Sequence, residues 1–139
     1  MQDITIPGHI FDDMIAYCRE GYPNEVCGIL GGRGNSVSGI WKMRNVEASP
    51  VSFLMDPKQQ FQTMKSLRNE GLSMVALFHS HPDSAAYPST RDVALAFYDD
   101  AAHIIVSLVG EEPQARAFFI INGTVEEIKM NIVLSDRAA

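Results

Sequence analysis

The sequence predicts a layered α/β or α+β domain, because strand-like and helix-like stretches are interspersed along its 139 residues. Two observations carry that prediction. Some stretches repeat apolar residues at helical spacing, and others are short apolar runs of strand length bounded by Gly, Pro or Asn. The length adds a third: domains typically run roughly 100–200 residues, so residues 1–139 are expected to form one domain. Apolar residues make up 46% of the chain and charged residues 20%, a mix that excludes disorder and low complexity as descriptions of the whole.

Asp3–Ile6 reads as a short opening strand. Pro7 suits the first turn of a helix, and Ile10, Phe11, Met14, Ile15 and Cys18 follow as one apolar stripe until Gly21 and Pro23 stop it. Glu25–Leu30 reads as a buried strand ending in Gly31-Gly32, and Gly34-Asn35 as the turn into Val37–Lys42, so the two strands make a hairpin. Phe53–Met55 is a short extended piece. The spacing predicts a helix over Pro57–Asn69, with Phe61, Met64 and Leu67 on its apolar edge and Gly71 after it. Leu72–Phe78 is apolar, short and bounded, hence a central buried strand running into His79. A loop from Pro82 to Pro88 leads to a helix reaching about Asp100. His103–Val109, Gln114–Ile121 and Thr124–Val133 read as closing strands.

Lys and Arg number 11 against 17 Asp and Glu, a formal net charge of −6. That balance speaks against a nucleic-acid binder, which needs a basic face. The charge is uneven. Arg33, Lys42, Arg44, Lys58, Lys65 and Arg68 face only Glu47 and Asp56 in one stretch, a local +4, which leaves −10 on the remainder. This is either a set of solvated side chains or a docking face for an acidic partner. No apolar run reaches the ~18 residues of a membrane helix. Met1-Gln2-Asp3-Ile4 has neither the basic start nor the apolar core of an export signal. The two cysteines, Cys18 and Cys27, exclude a disulfide scaffold and a Cys-rich zinc module, and fit a reducing compartment. A cytoplasmic protein without a membrane partner is the expectation.

The chemistry concentrates in His79-Ser80-His81-Pro82, followed by Ser89 and Asp92. Residues two apart on a strand point to one face, so His79 and His81 can reach one metal ion. Asp92 returns in the first turn of the next helix. Two imidazoles and one carboxylate leave a coordination position open for water, as in catalytic rather than structural zinc sites. His-x-His alone is a weak signal, and Ser89 with Asp92 also fits a plain helix cap of the capping-box kind. Capping and catalysis are compatible, because the cap would fix Asp92 and hold the Ser89 hydroxyl nearby.

His79-Ser80-His81-Pro82, six further residues, Ser89 and then Asp92 resemble the signature of the JAMM (MPN-plus) zinc metalloproteases. In that family an upstream glutamate completes the set. Glu25, in Glu25-Val26-Cys27-Gly28, matches the family's Glu-x-x-Gly block. The resemblance covers nearly the whole chain and implies a mixed, mostly antiparallel sheet flanked by helices, in a cytidine-deaminase-like architecture. It also implies Zn²⁺ held by His79, His81 and Asp92, with Glu25 as general base and Ser89 as oxyanion donor. The chain looks most like the small stand-alone bacterial members of the Mec and QbsD type. Those act after the C-terminal Gly-Gly of ubiquitin-like sulfur-carrier proteins. A homodimer is plausible for such a member. The resemblance further places an extended substrate tail beside an exposed strand, for which Val51–Met55 is the candidate edge.

The same sequence carries other readings. Asp83 is an alternative carboxylate ligand, although a loop position two residues after His81 favours solvation. His9 and His103 have no motif around them and read as structural or surface residues. Cys27 reads as a small buried residue rather than a nucleophile. Gly31-Gly32 is not followed by Gly-Lys-Ser/Thr, so it is no phosphate loop. The chain has no His-Glu-x-x-His and no Pro-Cys-x-x-Cys, which removes the commonest zinc-protease helix and the zinc deaminases. A non-catalytic scaffold of the same fold, an iron enzyme with a two-His-one-carboxylate triad and a cell-wall or phage-tail peptidase remain as alternatives.

Overall fold

The structure, a computed structural model, describes residues 2–134. Its elements run β1 (Ile4–Pro7), α1 (Gly8–Gly21), β2 (Cys27–Arg33), β3 (Ser36–Met43), α2 (Pro57–Asn69), β4 (Ser73–His81), α3 (Thr90–Ala94), β5 (Ala102–Ser107), β6 (Gln114–Ile121), β7 (Thr124–Ile128) and β8 (Met130–Val133). The strands make one mixed sheet in the order β7-β6-β5-β4-β2-β3-β1-β8. The β2–β3, β2–β4, β5–β6 and β6–β7 pairs are antiparallel, and β1–β3, β1–β8 and β4–β5 are parallel. The mixed, mostly antiparallel sheet with flanking helices is therefore borne out.

The two ends of that strand order are neighbours in the chain. Lys129 alone separates β7 from β8, so the sheet curls until its outer strands approach each other. The closure is tied at Lys129, whose carbonyl accepts from the Ile4 amide at 3.1 Å. Here the prediction of one strand over Thr124–Val133 fails. Two partners compete for that stretch, β6 on one side and β1 on the other, and the chain breaks at Lys129 to serve both. The β6–β7 turn is Asn122-Gly123, with φ of 51° and 80°; two successive left-handed residues suit the tight hairpin turn that matches strand twist.

Alternation of side chains divides the molecule into an inside and an outside. Ile4, Ile6, Leu30, Val37, Phe78, Ile104, Val106, Ala117 and Ile128 face inward, and Ile10, Met14 and Cys18 of α1 fill the space they enclose. The opposite face carries Cys27, Ile29, Met43, Met55 and Leu67, with α2 packed against it. A third cluster on that side joins Ala86, Ile105, Phe118 and Ile120, with Val93 and Ala96 over it. Asp56 starts α2 as its cap, accepting from the amides of Lys58 and Gln59, and α2 has the bounds expected from spacing.

Further boundaries differ from expectation. β2 begins at Cys27 rather than Glu25 and runs through Gly31-Gly32, where register shifts on both neighbouring strands mark a bulge. Phe53–Met55 makes a single bridge, Asn45 to Met55, instead of a strand. The helix expected to reach Asp100 stops at Ala94. Beyond it Tyr98 is drawn to α2, where its hydroxyl meets Gln60 at 3.1 Å and the Met64 sulfur at 3.7 Å. The chain must then enter β5 at Ala102, so tertiary contacts override helical spacing here.

Candidate functional site

β4 delivers two imidazoles to one place. His79 and His81 both project from the outer face at the strand's end, and each is only 4% exposed. α3 brings Asp92 to meet them. His79 Nε2, His81 Nε2 and Asp92 Oδ2 are each 3.1 Å from the other two. Donors bound roughly 2.0–2.1 Å from a tetrahedral ion stand about 3.3–3.4 Å apart, so this triangle needs little adjustment to hold one.

The proton inventory points the same way. His81 Nδ1 lies 2.8 Å from the Ala85 carbonyl, which can only accept, so the proton belongs on Nδ1. In neutral His81 the Nε2 is then a bare lone pair, aimed at a carboxylate oxygen and a second imidazole nitrogen. This lone pair and the Asp92 carboxylate oxygen converge with the His79 ring nitrogen on one point, which fits a cation. Among the described residues these three are the group able to hold a metal ion.

Electrostatics follow from burial and from one another. Burial opposes charge on Asp92, yet the two imidazoles beside it hold its carboxyl far below the usual carboxylate range. Burial pushes His79 down, against the pull of Asp92. Burial also works against charge on His81, but Asp92 and the Ala85 carbonyl outweigh it and raise this group.

Ser89 caps α3 with the expected capping box. Its Oγ accepts from the Asp92 amide at 3.0 Å, and its own amide donates to Asp92 Oδ2 at 2.9 Å. The cap thus orients the carboxylate, while the Ser89 hydroxyl proton stays free to donate toward solvent.

Glu25 lies just before β2 and is 6% exposed. Contacts on both sides fix it. The Val26 amide donates to Ser80 Oγ at 2.9 Å and the Ser80 amide donates to the Val26 carbonyl at 3.0 Å, so the residue between the two histidines anchors the neighbour of Glu25. On the other side Asn45 Nδ2 donates to the Glu25 carbonyl at 3.0 Å. Burial pushes the Glu25 carboxyl up to about 7, with His81 and Asp92 acting on it in opposite senses.

Sequence reading missed several of these participants. Ser80 gave no signal beyond its place in the motif. Asn45 also donates to the Ser52 carbonyl and accepts from the Glu47 and Leu54 amides, which makes it the organiser of the loop beside Glu25. Phe53 stacks on His79 with ring centroids 4.5 Å apart. His103, expected from the sequence to be a structural or surface residue, lines the cleft together with His79, with Nε2 buried and unpartnered. Burial brings His103 down to about 4. Asp83 stands away from the trio and accepts from the Tyr22 hydroxyl. Cys27 is buried, and burial pushes its thiol up to about 12, which leaves it inert as a nucleophile.

Residues 7–121 match the family of prokaryotic homologs of the JAB domain. The chain belongs to this family. This JAB domain is 31% identical over 135 residues to the CysO-cysteine peptidase of Mycobacterium tuberculosis, covering 94% of this chain and 91% of that protein. It is 31% identical over 103 residues to a desampylase of Haloferax volcanii, covering 69% and 74% of the two chains. A solution structure of a Desulfitobacterium hafniense protein superposes with a TM-score of 0.82 at 35% identity, over 96% of this chain and 97% of that one. The resemblance drawn from the histidine motif is thus borne out at the level of family and fold. No helix among the described residues is long and apolar enough to cross a membrane.

Proposed function

We propose that this JAB domain is a zinc metallopeptidase that hydrolyses the peptide or isopeptide bond after the C-terminal Gly-Gly of a ubiquitin-like sulfur-carrier protein. The observation that carries the reading is the convergence of His79 Nε2, His81 Nε2 and Asp92 Oδ2 at 3.1 Å beside a buried glutamate. Two imidazoles and one carboxylate suit zinc with a position left open. The relatives' names, a CysO-cysteine peptidase and a desampylase, support hydrolysis of carrier conjugates.

His79, His81 and Asp92 would hold the ion, which supplies Lewis acidity to the carbonyl and to a water molecule. Glu25 takes a proton from the attacking water as its oxygen bonds to the glycine carbonyl carbon. The same carboxyl hands that proton to the nitrogen as the C–N bond breaks, so the products are a carboxylate and an amine. Burial raises the Glu25 carboxyl above the ordinary value, which strengthens it as a proton acceptor. The Ser89 hydroxyl donates to the carbonyl oxygen as it gains charge. The substrate tail runs along Val51–Met55. Part of that backbone is already held, since Leu54 bonds to Val46 and Asn45, while Val51 and Leu54 remain exposed.

The test is incubation of the zinc-loaded protein with ubiquitin-like carriers that bear one residue or a short peptide after Gly-Gly, read by intact mass. Loss of everything beyond Gly-Gly, absent with Glu25→Gln, is expected. Unchanged carrier mass over a full series of conjugates overturns the reading.

A further inference from the structure

Arg91 lies between Ser89 and Asp92 in chain order, on the first turn of α3. It borders a cleft of about 220 Å³ together with His79 and Asp92. The remaining walls are largely apolar, including Phe53, Leu54, Leu77 and Phe97, and among the described lining residues Arg91 is the one lysine or arginine. A carboxylate already occupies its guanidinium: Glu47, from the loop organised by Asn45, with Nη2 3.0 Å from Oε2 and 3.3 Å from Oε1. The side chains are 49% and 32% exposed. Ion pairs this exposed are weak, so another carboxylate can take Glu47's place. Both groups also act on the Glu25 carboxyl, Arg91 lowering it and Glu47 raising it, which puts the pair within electrostatic reach of the base.

The chemistry of the leaving group gives this position a meaning. When a single α-linked residue is cut from a chain end, its carboxylate lies two bonds from the nitrogen that departs. Its receptor must therefore stand next to the metal group and the base. A lysine leaving from an isopeptide bond has no carboxylate there. A guanidinium fork is the side chain best shaped to bind one.

We infer that Arg91 is a specificity-determining residue that receives the free α-carboxylate of a single C-terminal residue released from the carrier, with Glu47 occupying the fork until substrate displaces it. The inference rests on the peptidase reading and adds the form of the leaving group and the residue that selects it.

The experiment uses a Gly-Gly carrier extended by one residue, as the free acid or as the C-terminal amide. Wild-type protein is expected to favour the acid in kcat/KM by roughly 10- to 100-fold. Arg91→Gln should bring that ratio close to one. Glu47→Gln should lower KM for the acid, because the fork loses its competitor. Titration of the two carriers into Glu25→Gln protein supplies a readout free of turnover, with tighter binding of the acid that disappears in the Glu25→Gln/Arg91→Gln double variant. Equal cleavage of acid and amide by wild-type protein overturns the carboxylate site and leaves the peptidase reading intact. An Arg91→Gln variant slowed on both substrates with the ratio retained also overturns it, since the pair is then only a brace. Cleavage of neither substrate overturns this inference, and the peptidase reading falls with it only when the full series of conjugates is also left unchanged.

Discussion

Glu25, the proposed general base, carries a cost to stability. Its carboxyl is buried, and burial raises it from 4.5 to about 7. A raised acid titrates in the native state before the unfolded one, so its cost to folding is full above about 7 and fades as pH falls toward 4.5. Glu25→Gln should therefore stabilise the metal-free protein above neutrality, by at most about 3 kcal/mol, and by less near pH 5, as denaturant midpoints at the two pH values would reveal. A variant no more stable than wild type at pH 8 contradicts that account. For catalysis the sign is opposite. As the proposed base Glu25 must be ionised, so kcat/KM is expected to rise with pH and then level off, with bound zinc placing that rise below the metal-free value of about 7. Ser89 caps α3 and is the proposed oxyanion donor, two roles that substitution can separate. Ser89→Ala should cost roughly 1 kcal/mol of stability as a lost cap and lower kcat by about 10²-fold as a lost oxyanion donor. Thermal melts and kinetics read the two effects independently. An unchanged kcat with the expected melt would leave Ser89 as a cap only.

Strand β4 is the element on which the site depends. Its register against β2 sets Cys27 opposite His79 and Gly28 opposite Phe78. Gly28 is needed there because a Cβ would come within 2.3 Å of the Phe78 ring and 2.7 Å of the Trp41 carbonyl. Gly28→Ala is expected to destabilise the protein by roughly 1–3 kcal/mol through overpacking. It should also weaken zinc affinity by shifting the strand that carries both histidines, measured by competition with a chelator. Normal zinc affinity with lowered stability would mean that the strand end is insulated from its middle. α3 owes its brevity to its surroundings. Apolar residues continue beyond Ala94, but Val93 and Ala96 pack over Ile105 and Phe118 while Tyr98 turns away to α2. A periodic pattern could not reveal that its members serve different neighbours.

Across the whole molecule, the basic stretch between Arg33 and Arg68 is partly neutralised. Lys42 pairs with Asp13 at 2.8 Å and Arg44 with Asp56 at 3.0 Å. Arg33, Lys58, Lys65 and Arg68 remain exposed on and around α2. If this face steers an acidic carrier, KM should rise with ionic strength while kcat stays level. The double variant Lys58→Glu/Lys65→Glu should raise KM at low salt. A KM insensitive to both changes would remove docking from the role of this face.

Sequence alone determined the order of the elements as far as β6, the bounds of α2 and β6, and the three residues, His79, His81 and Asp92, that meet at one point. These depend on local rules: helical spacing, alternation along a strand, and a cap three residues before its partner. Tertiary structure decided the rest. It curled the sheet so that β7 and β8 separate at Lys129. It set Glu25 against β4 through Ser80 and Asn45, and it paired Arg91 with Glu47 across the cleft. These contacts join positions tens of residues apart, and no periodicity records them, because their geometry exists only once strands from distant parts of the chain lie side by side.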